Sequence, residues 1–173
     1  EREFSGVAVA DLNGNYRREL LLGNIKPGAV PIYSVNGAGS YEKIAELPSI
    51  RPTFGISFAP LDGNGNLYSF LAHWSGGVGS DVDSPALWRF DGASVFPSDK
   101  AAGTSPAFVD QRFNFTPKFA DFTGDGRIDL VIASDFGTSS TLTNVANGQG
   151  GWFFRPDTDR NVITDQNGMG STL

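Results

Sequence analysis

The chain has 173 residues, of which 39% are hydrophobic, and this combination is typical of a folded globular protein with its own core. Its formal net charge is -6, with 13 basic residues against 19 acidic ones, so it lacks the basic surface that nucleic-acid binding requires. It has no cysteine and a single histidine, His73, which excludes disulfides and thiolate metal sites and leaves few catalytic arrangements that use histidine.

Short runs rich in β-branched and aromatic residues follow one another along the chain, and each of them predicts a strand. In chain order these runs include GVAVA, ELLLGNI, VPIYSV, ALWRF, DLVIAS and GWFFR. No apolar stripe of helical period appears, and 22 glycines and 10 prolines interrupt the sequence. No apolar run approaches the roughly 20 residues of a membrane-spanning helix. The sequence therefore predicts an all-β chain that does not insert into a membrane.

Between the first two predicted strands, oxygen-bearing side chains recur at alternate positions and end on a carboxylate. In DLNGNYRREL these residues are Asp11, Asn13, Asn15 and Glu19. In DFTGDGRIDL they are Asp121, Thr123, Asp125 and Asp129. A weaker copy, DGNGNLYSFL, has Asp62, Asn64 and Asn66, but Phe70 stands where the last carboxylate is expected. The copies begin about 50 to 60 residues apart, which indicates a repeated unit.

A tight turn is predicted after each copy, because Asn-Gly and Asp-Gly pairs favour the positive φ angles of type I′ hairpin turns. The pairs are Asn36-Gly37, Asp91-Gly92 and Asn147-Gly148, and an aromatic residue follows each of them, namely Tyr41, Phe96 and Trp152. Each unit then reads strand, polar loop, strand, connection, strand, turn, strand. Four-stranded units repeated head to tail are the blades of a β-propeller.

We therefore predict a single partial β-propeller over residues 1–173. Its three four-stranded antiparallel blades are expected at about 5–50, 51–103 and 113–160, with 161–173 starting the next blade. Propellers close with about four to eight blades. We accordingly expect the remaining blades of a longer chain, or neighbouring copies of this one, to close the ring.

The polar loops resemble the calcium-binding repeats of FG-GAP/VCBS propellers, the family that includes the integrin α-subunit head. Their pattern, D-x-[DN]-x-[DN]-G-x-x-[DE]-L, is matched closely at 121–130, where Thr123 takes the third position, and at 11–20 except for Tyr16 in the glycine position. The match at 62–71 is poor. The stretch TFGISFAP at 53–60 is similar to the family's Phe-Gly signature, and the terminal DQNGMGSTL resembles the approach to another acidic loop in relatives with an ASPIC/UnbV module, such as cartilage acidic proteins.

The resemblance implies that these loops bind Ca²⁺, an ion that takes six to eight oxygen ligands, which a short loop can supply from alternate side chains and one carbonyl. We expect side-chain ligands from Asp11, Asn13, Asn15 and Glu19 and from Asp121, Thr123, Asp125 and Asp129. The family pattern adds the backbone carbonyls of Arg17 and Arg127, whose side chains would point away. Binding at Asp62, Asn64 and Asn66 is expected to be weak, and loop 121–129, which has the most carboxylates, should bind most tightly.

Two other kinds of loop have a similar sequence pattern, namely the EF-hand loop and the polar hairpin loop that binds no metal. An EF-hand requires glutamate at its twelfth position, where this chain has Leu22 or Ile132, so that interpretation fails. Polar hairpin loops without metal stay open, because Asp, Asn and Gly form turns in any β protein.

Three functions are compatible with a calcium-binding propeller. The first is a non-catalytic scaffold of the adhesion or matrix type that binds a protein or a glycan, as the resemblance implies. The second is a structural subunit of a larger assembly or filament, and the third a polysaccharide-active enzyme. We expect the scaffold and assign no catalytic residue. Extracellular calcium modules bind with dissociation constants of about 10⁻⁴ to 10⁻³ M, so the predicted location is secreted, on the cell surface or periplasmic.

Overall fold

The computed structural model of the chain describes residues 3–74, 84–92, 94–98, 113–136, 139–148 and 150–157. Within these ranges the chain forms strands and no helix. The strands are β1 (Phe4–Ala10), β2 (Glu19–Asn24), β3 (Val30–Val35), β4 (Tyr41–Leu47), β5 (Thr53–Pro60), β6 (Leu67–His73), β7 (Leu87–Asp91), β8 (Ser94–Pro97), β9 (Asn114–Ala120), β10 (Asp129–Ser134), β11 (Ser140–Ala146) and β12 (Trp152–Pro156). No helix long and apolar enough to cross a membrane occurs in the part described.

The strands form three antiparallel sheets of four strands, each in chain order. We call them sheet 1 (β1 to β4), sheet 2 (β5 to β8) and sheet 3 (β9 to β12). The prediction of an all-β chain built from three four-stranded antiparallel units is thus confirmed. The described sheets form an open series and do not close into a ring. The predicted start of a further unit at 161–173 lies outside the described residues.

The apolar core lies between successive sheets, in two clusters. Leu21 and Ile32 of sheet 1 pack with Leu71 and Phe90 of sheet 2. On the other side of sheet 2, Phe70 belongs to a cluster that includes residues of sheet 3 such as Leu130, Ile132 and Phe154. Strand β6 is buried on both faces over nearly its whole length because sheet 2 lies between the two others.

The first strands of neighbouring sheets approach each other through glycine. A Cβ atom on Gly6 would lie 2.6 Å from the carbonyl oxygen of Phe54, and one on Gly55 would lie 2.0 Å from that of Phe115. Both glycines follow an irregularity in the strand register. Gly55 belongs to the Phe-Gly stretch noted in the sequence, and here its lack of a side chain allows two backbones to meet.

Hairpins occur at all three predicted turn positions, joining β3 to β4, β7 to β8 and β11 to β12. The expected type I′ geometry, which needs positive φ at both residues of each pair, is wrong at all three turns, because Asn36, Asp91 and Asn147 do not have positive φ. The first turn differs most. There Asn36 N–H donates to Ser40 O at 2.9 Å, and Gly39 rather than Gly37 has a positive φ, of 78°. Three residues therefore span this turn, with the left-handed residue last.

Candidate metal-binding loops

Each sheet carries one of the predicted polar loops between its first and second strands. The strand register aligns the three loops, because Ala10 pairs with Glu19, Ala59 with Tyr68 and Ala120 with Asp129. We therefore define loop 1 as residues 11–19, loop 2 as residues 60–68 and loop 3 as residues 121–129. In all three, the fourth and sixth positions have positive φ; these residues are Gly14 and Tyr16, Gly63 and Gly65, and Gly124 and Gly126.

This alignment corrects the sequence template for loop 2. Pro60 takes the first position, Asp62 the third and Tyr68 the ninth, whereas the template placed Asp62 first and Phe70 ninth. Phe70 is instead a fully buried core residue. The sequence pattern takes the first aspartate of the segment, Asp62, as the first position of the loop. The pairing of β5 with β6 shows that Asp62 is the third position.

The first carboxylate of loop 3, that of Asp121, accepts hydrogen bonds from three backbone N–H groups of the same loop. Asp121 Oδ1 accepts hydrogen bonds from the N–H groups of Gly124 at 2.7 Å and Asp125 at 3.1 Å, and Oδ2 accepts one from Gly126 N–H at 2.8 Å. The Gly126 hydrogen bond, together with those from Gly124, Asp125 and Thr123, lowers the pKa of Asp121 below its usual 3.8 and outweighs the opposing effect of burial.

Loop 1 repeats this arrangement. Asp11 Oδ1 accepts from Asn15 N–H at 3.1 Å and Oδ2 from Tyr16 N–H at 2.8 Å. The side-chain oxygens of the third and fifth positions also accept hydrogen bonds inside the loop, from Asn15 N–H to Asn13 and from Arg17 N–H to Asn15. The first and fifth positions therefore accept backbone hydrogen bonds in both loops.

The ninth residue of loops 1 and 3 is a buried carboxylate. Asp129 is 0% exposed, and it accepts hydrogen bonds from Asn144 N–H at 2.8 Å, Thr123 N–H at 3.2 Å and Thr123 Oγ1 at 3.1 Å. Glu19 is 1% exposed and accepts from Leu12 N–H at 2.9 Å and Ser34 Oγ at 3.2 Å. All of these donors are uncharged, so within the described ranges the burial of the two acids is compensated by hydrogen bonds from neutral groups.

The seventh residue of loop 3 departs from expectation. Arg127 was expected to turn its side chain away, but its Nη2 lies 3.2 Å from Asp125 Oδ2, and its Nε donates to Asn144 O at 3.2 Å. Arg127 N–H also donates to Asp125 Oδ1 at 2.9 Å. The guanidinium thus pairs with one of the three carboxylates of the loop and reduces the repulsion between them.

The carboxylate of loop 2, unlike the first carboxylates of loops 1 and 3, accepts hydrogen bonds mainly from side chains. Asp62 Oδ1 accepts from Asn64 N–H at 2.9 Å, and Oδ2 accepts from Asn66 Nδ2 at 2.6 Å and Tyr68 Oη at 3.1 Å. Burial raises the pKa of Asp62, but the hydrogen bonds, led by that from Asn66, outweigh it and lower the pKa below 3.8. Burial, followed by the charge of Asp62 and their hydrogen bond, raises the pKa of Tyr68 to about 12.

The predicted ligands of each loop lie in one short segment of the chain. No group of three or more His, Asp or Glu side chains close enough to hold a metal ion occurs in the described ranges. The carboxylates of loops 1 and 3 accept hydrogen bonds from donors within their own sheets.

Asn144 contacts the loops although the sequence pattern gave no sign of it. It lies in β11, is 1% exposed, and its Nδ2 donates to the carbonyl oxygens of Leu61 in loop 2 and Ile128 in loop 3, both at 3.2 Å. Ile128 precedes β10, the neighbour of β11 in the same sheet, whereas Leu61 reaches this amide because sheet 3 packs on sheet 2.

Comparison with known proteins does not identify a family. No protein-family model matches the chain, and a search of curated proteins finds no significant match.

Proposed function

We propose that this chain is part of a calcium-stabilised β-propeller that acts outside the cytoplasm as a non-catalytic scaffold for binding a protein or a glycan. The observation that carries the calcium proposal is the pair of buried carboxylates, Glu19 and Asp129, at the same position of two loops. The propeller proposal draws on the three consecutive four-stranded sheets and on the glycine contacts between their first strands.

A bound cation would complete the balance of charge at these positions. Burying a carboxylate is costly unless hydrogen bonds or an opposite charge compensate for it. No Lys, Arg or His forms an ion pair with Glu19 or Asp129 in the described part of the chain. Each of these acids instead belongs to a loop with another carboxylate at its first position, Asp11 or Asp121.

The donor set of the loops suits a hard cation. Every proposed ligand is an oxygen, from carboxylates, amides, a threonine hydroxyl and the backbone carbonyls of Arg17 and Arg127, and Ca²⁺ prefers such ligands. Binding in loop 3 requires Asp125 to turn from Arg127 toward the ion. The Arg127 side chain is 43% exposed, so its guanidinium can be released into water. We therefore assign Ca²⁺ to loops 1 and 3.

Loop 2 does not need the ion. Its single carboxylate, Asp62, already has two side-chain donors on Oδ2, from Asn66 and Tyr68. A cation would have to displace both of them and would meet no second acid, since the ninth position is Tyr68. Metal binding at Asp62, Asn64 and Asn66 is therefore expected to be negligible.

Weak calcium sites place the protein where calcium is abundant. Extracellular modules have dissociation constants of about 10⁻⁴ to 10⁻³ M. If free calcium is about ten times that constant, each occupied loop stabilises the fold by about 1.4 kcal/mol. The same sites would be nearly empty at the low calcium concentration of a cytosol.

Thermal unfolding in calcium, magnesium and a chelator tests this proposal. We expect calcium at millimolar concentration to raise the melting temperature by several degrees, and the substitutions Asp129→Asn and Glu19→Gln each to remove part of that increase. Both replacements keep the size of the side chain. Asp91→Asn, in the β7–β8 hairpin, is the control for a carboxylate outside the loops.

Calcium binding at these loops would be refuted if calcium did not raise the melting temperature of the natural chain. It would also be refuted if the Asp129→Asn/Glu19→Gln double variant kept the full rise. If the single variants fold poorly, Asp121→Asn and Asp11→Asn, at first positions that are exposed and half-buried respectively, supply the same test. Screening the calcium-loaded protein on a glycan array, with the chelated protein as reference, then tests the scaffold function.

A second function, as a structural subunit, is favoured by the outer face of sheet 1. Val7 and Val9 are 66% and 53% exposed, whereas Ile56 and Phe58, at the same places in β5, pack against a core cluster. A further sheet could cover these valines in the same way. Sedimentation over a range of concentrations distinguishes the two functions, because a subunit should associate and a Val7→Thr/Val9→Thr variant should stay monomeric.

A further inference from the structure

Asn144 joins two loops that belong to different sheets. Its side-chain Nδ2 donates to Leu61 O and to Ile128 O, each at 3.2 Å, and Leu61 lies 83 residues earlier in the chain. Leu61 itself is 5% exposed and belongs to the core between sheets 2 and 3. The amide therefore connects the start of loop 2 to the end of loop 3 through a buried path.

The backbone of the same residue holds two further positions of loop 3. Asn144 N–H donates to Asp129 Oδ1 at 2.8 Å, and Asn144 O accepts from Arg127 Nε at 3.2 Å. With Ile128, three consecutive loop residues thus bond to Asn144. Two of them, Arg127 and Asp129, are at the seventh and ninth positions, where the proposed function places a carbonyl ligand and a carboxylate ligand.

The remaining polar atom of this side chain suggests why an amide stands here. Asn144 Oδ1 is buried and has no hydrogen-bond partner among the residues that the structure describes. A buried acceptor without a partner is unfavourable, and an apolar side chain would avoid it. Asparagine at this position is thus explained by its two donated hydrogen bonds.

We propose that Asn144 is a positioning residue that fixes the second half of loop 3 against loop 2, so that loop 2 helps to set the calcium affinity of loop 3. Loop 2 is suited to this role because Asp62, Asn66 and Tyr68 order it without a metal. The effect on affinity rests on the proposed function, whereas the bridge between the loops does not.

The substitution Asn144→Leu tests the bridge, since leucine has a similar volume, keeps the backbone bonds and removes both side-chain donors. In calcium-free protein we expect faster hydrogen exchange at the amides of loops 2 and 3, with loop 1 unchanged. In calcium titrations by calorimetry, we expect the affinity of loop 3 to fall about tenfold and that of loop 1 to stay the same. Thr141→Val, a buried change in the same strand, is the control.

The outcomes separate this inference from the proposed function. Unchanged exchange in loop 2 and unchanged affinity in loop 3 would overturn the inference, even if Asn144→Leu lowers the melting temperature, because a merely structural residue would do only that. A natural chain that binds no calcium would refute the proposed function, and exchange in loop 2 would still decide whether the bridge exists. If Asn144→Leu does not fold, the smaller Asn144→Ser replaces it in both measurements.

Discussion

The phenol oxygen of Tyr68 donates a hydrogen bond to Asp62 Oδ2 at 3.1 Å, which reverses a contact of loop 3. There Thr123 Oγ1, at the third position, donates to Asp129 Oδ2, at the ninth, also at 3.1 Å. In loop 2 the acid, Asp62, is at the third position and the donor, Tyr68, is at the ninth. The contact between the two positions is thus retained while the buried acid of the ninth position is lost.

Removing the hydroxyl of Tyr68 should destabilise loop 2 without changing the stabilisation of the protein by calcium. We expect Tyr68→Phe to lower the free energy of unfolding by about 1 kcal/mol, the usual net contribution of one hydrogen bond. Urea unfolding with and without calcium checks this, and the loss should be the same in both. Tyr41→Phe, on an exposed residue of β4, is the control. A loss that appears only in calcium would mean that loop 2 binds the ion.

The same residue makes stability depend on alkaline pH. The pKa of Tyr68 is raised from 10.0 to about 12 in the folded protein, so the folded state keeps a proton that the unfolded state has already released. Its contribution is complete below pH 10.0 and is lost as the pH rises toward about 12. A phenolate absorbance titration should show one late-titrating tyrosine, absent from Tyr68→Phe. Identical titration curves would contradict this assignment.

A methyl group at Gly55 should disturb the contact between sheets 2 and 3. Its Cβ would lie 2.0 Å from Phe115 O and 2.8 Å from Pro117 Cδ, and neither group can move without shifting β9. We expect Gly55→Ala to cost about 3 kcal/mol of unfolding free energy. Gly37→Ala, where nothing lies within 4 Å, should change it by less than about 0.5 kcal/mol. Equal effects of the two substitutions would show that the close approach is relieved cheaply.

Tyr16 has a positive φ of 63° at the place where loops 2 and 3 have glycine. Its side chain is 98% exposed, so little packing offsets the strain. We expect Tyr16→Gly to stabilise the chain by about 1 kcal/mol, and Gly126→Tyr to destabilise it by a similar amount. Urea unfolding measures both. A destabilised Tyr16→Gly variant would show that the tyrosine makes a favourable contact.

The free energy of unfolding should also fall at acidic pH, because Asp121 and Asp62 have lowered pKa values in the folded protein. Hydrogen bonds hold the pKa of Asp121 and of Asp62 below 3.8, so the unfolded chain takes up protons first as the pH falls. This contribution is complete well above pH 3.8 and is lost as the pH falls through the lower folded values. Unfolding measured between about pH 5 and pH 2 should therefore show a shallower decline for Asp121→Asn/Asp62→Asn than for the natural chain. Parallel declines would argue against both shifts.

Local pattern was enough to predict the strands, their grouping in fours, the places of the three hairpins and the places of loops 1 and 3. Runs rich in β-branched and aromatic residues predict strands because such side chains suit the packed surface of a pleated sheet. The loop residues are close in sequence, so their spacing alone brings Asp121 near the amides of Gly124 and Gly126. Loops 1 and 3 were aligned correctly for this reason.

Tertiary structure decided what depends on partners distant in the chain. The position of loop 2 follows from the pairing of β5 with β6, which places Tyr68 opposite Ala59 and Phe70 in the core. The role of Asn144 follows from the packing of sheet 3 on sheet 2, which brings Leu61 to its amide. A periodic pattern specifies which side of a strand is buried, but the contacts formed there depend on how the sheets are packed together.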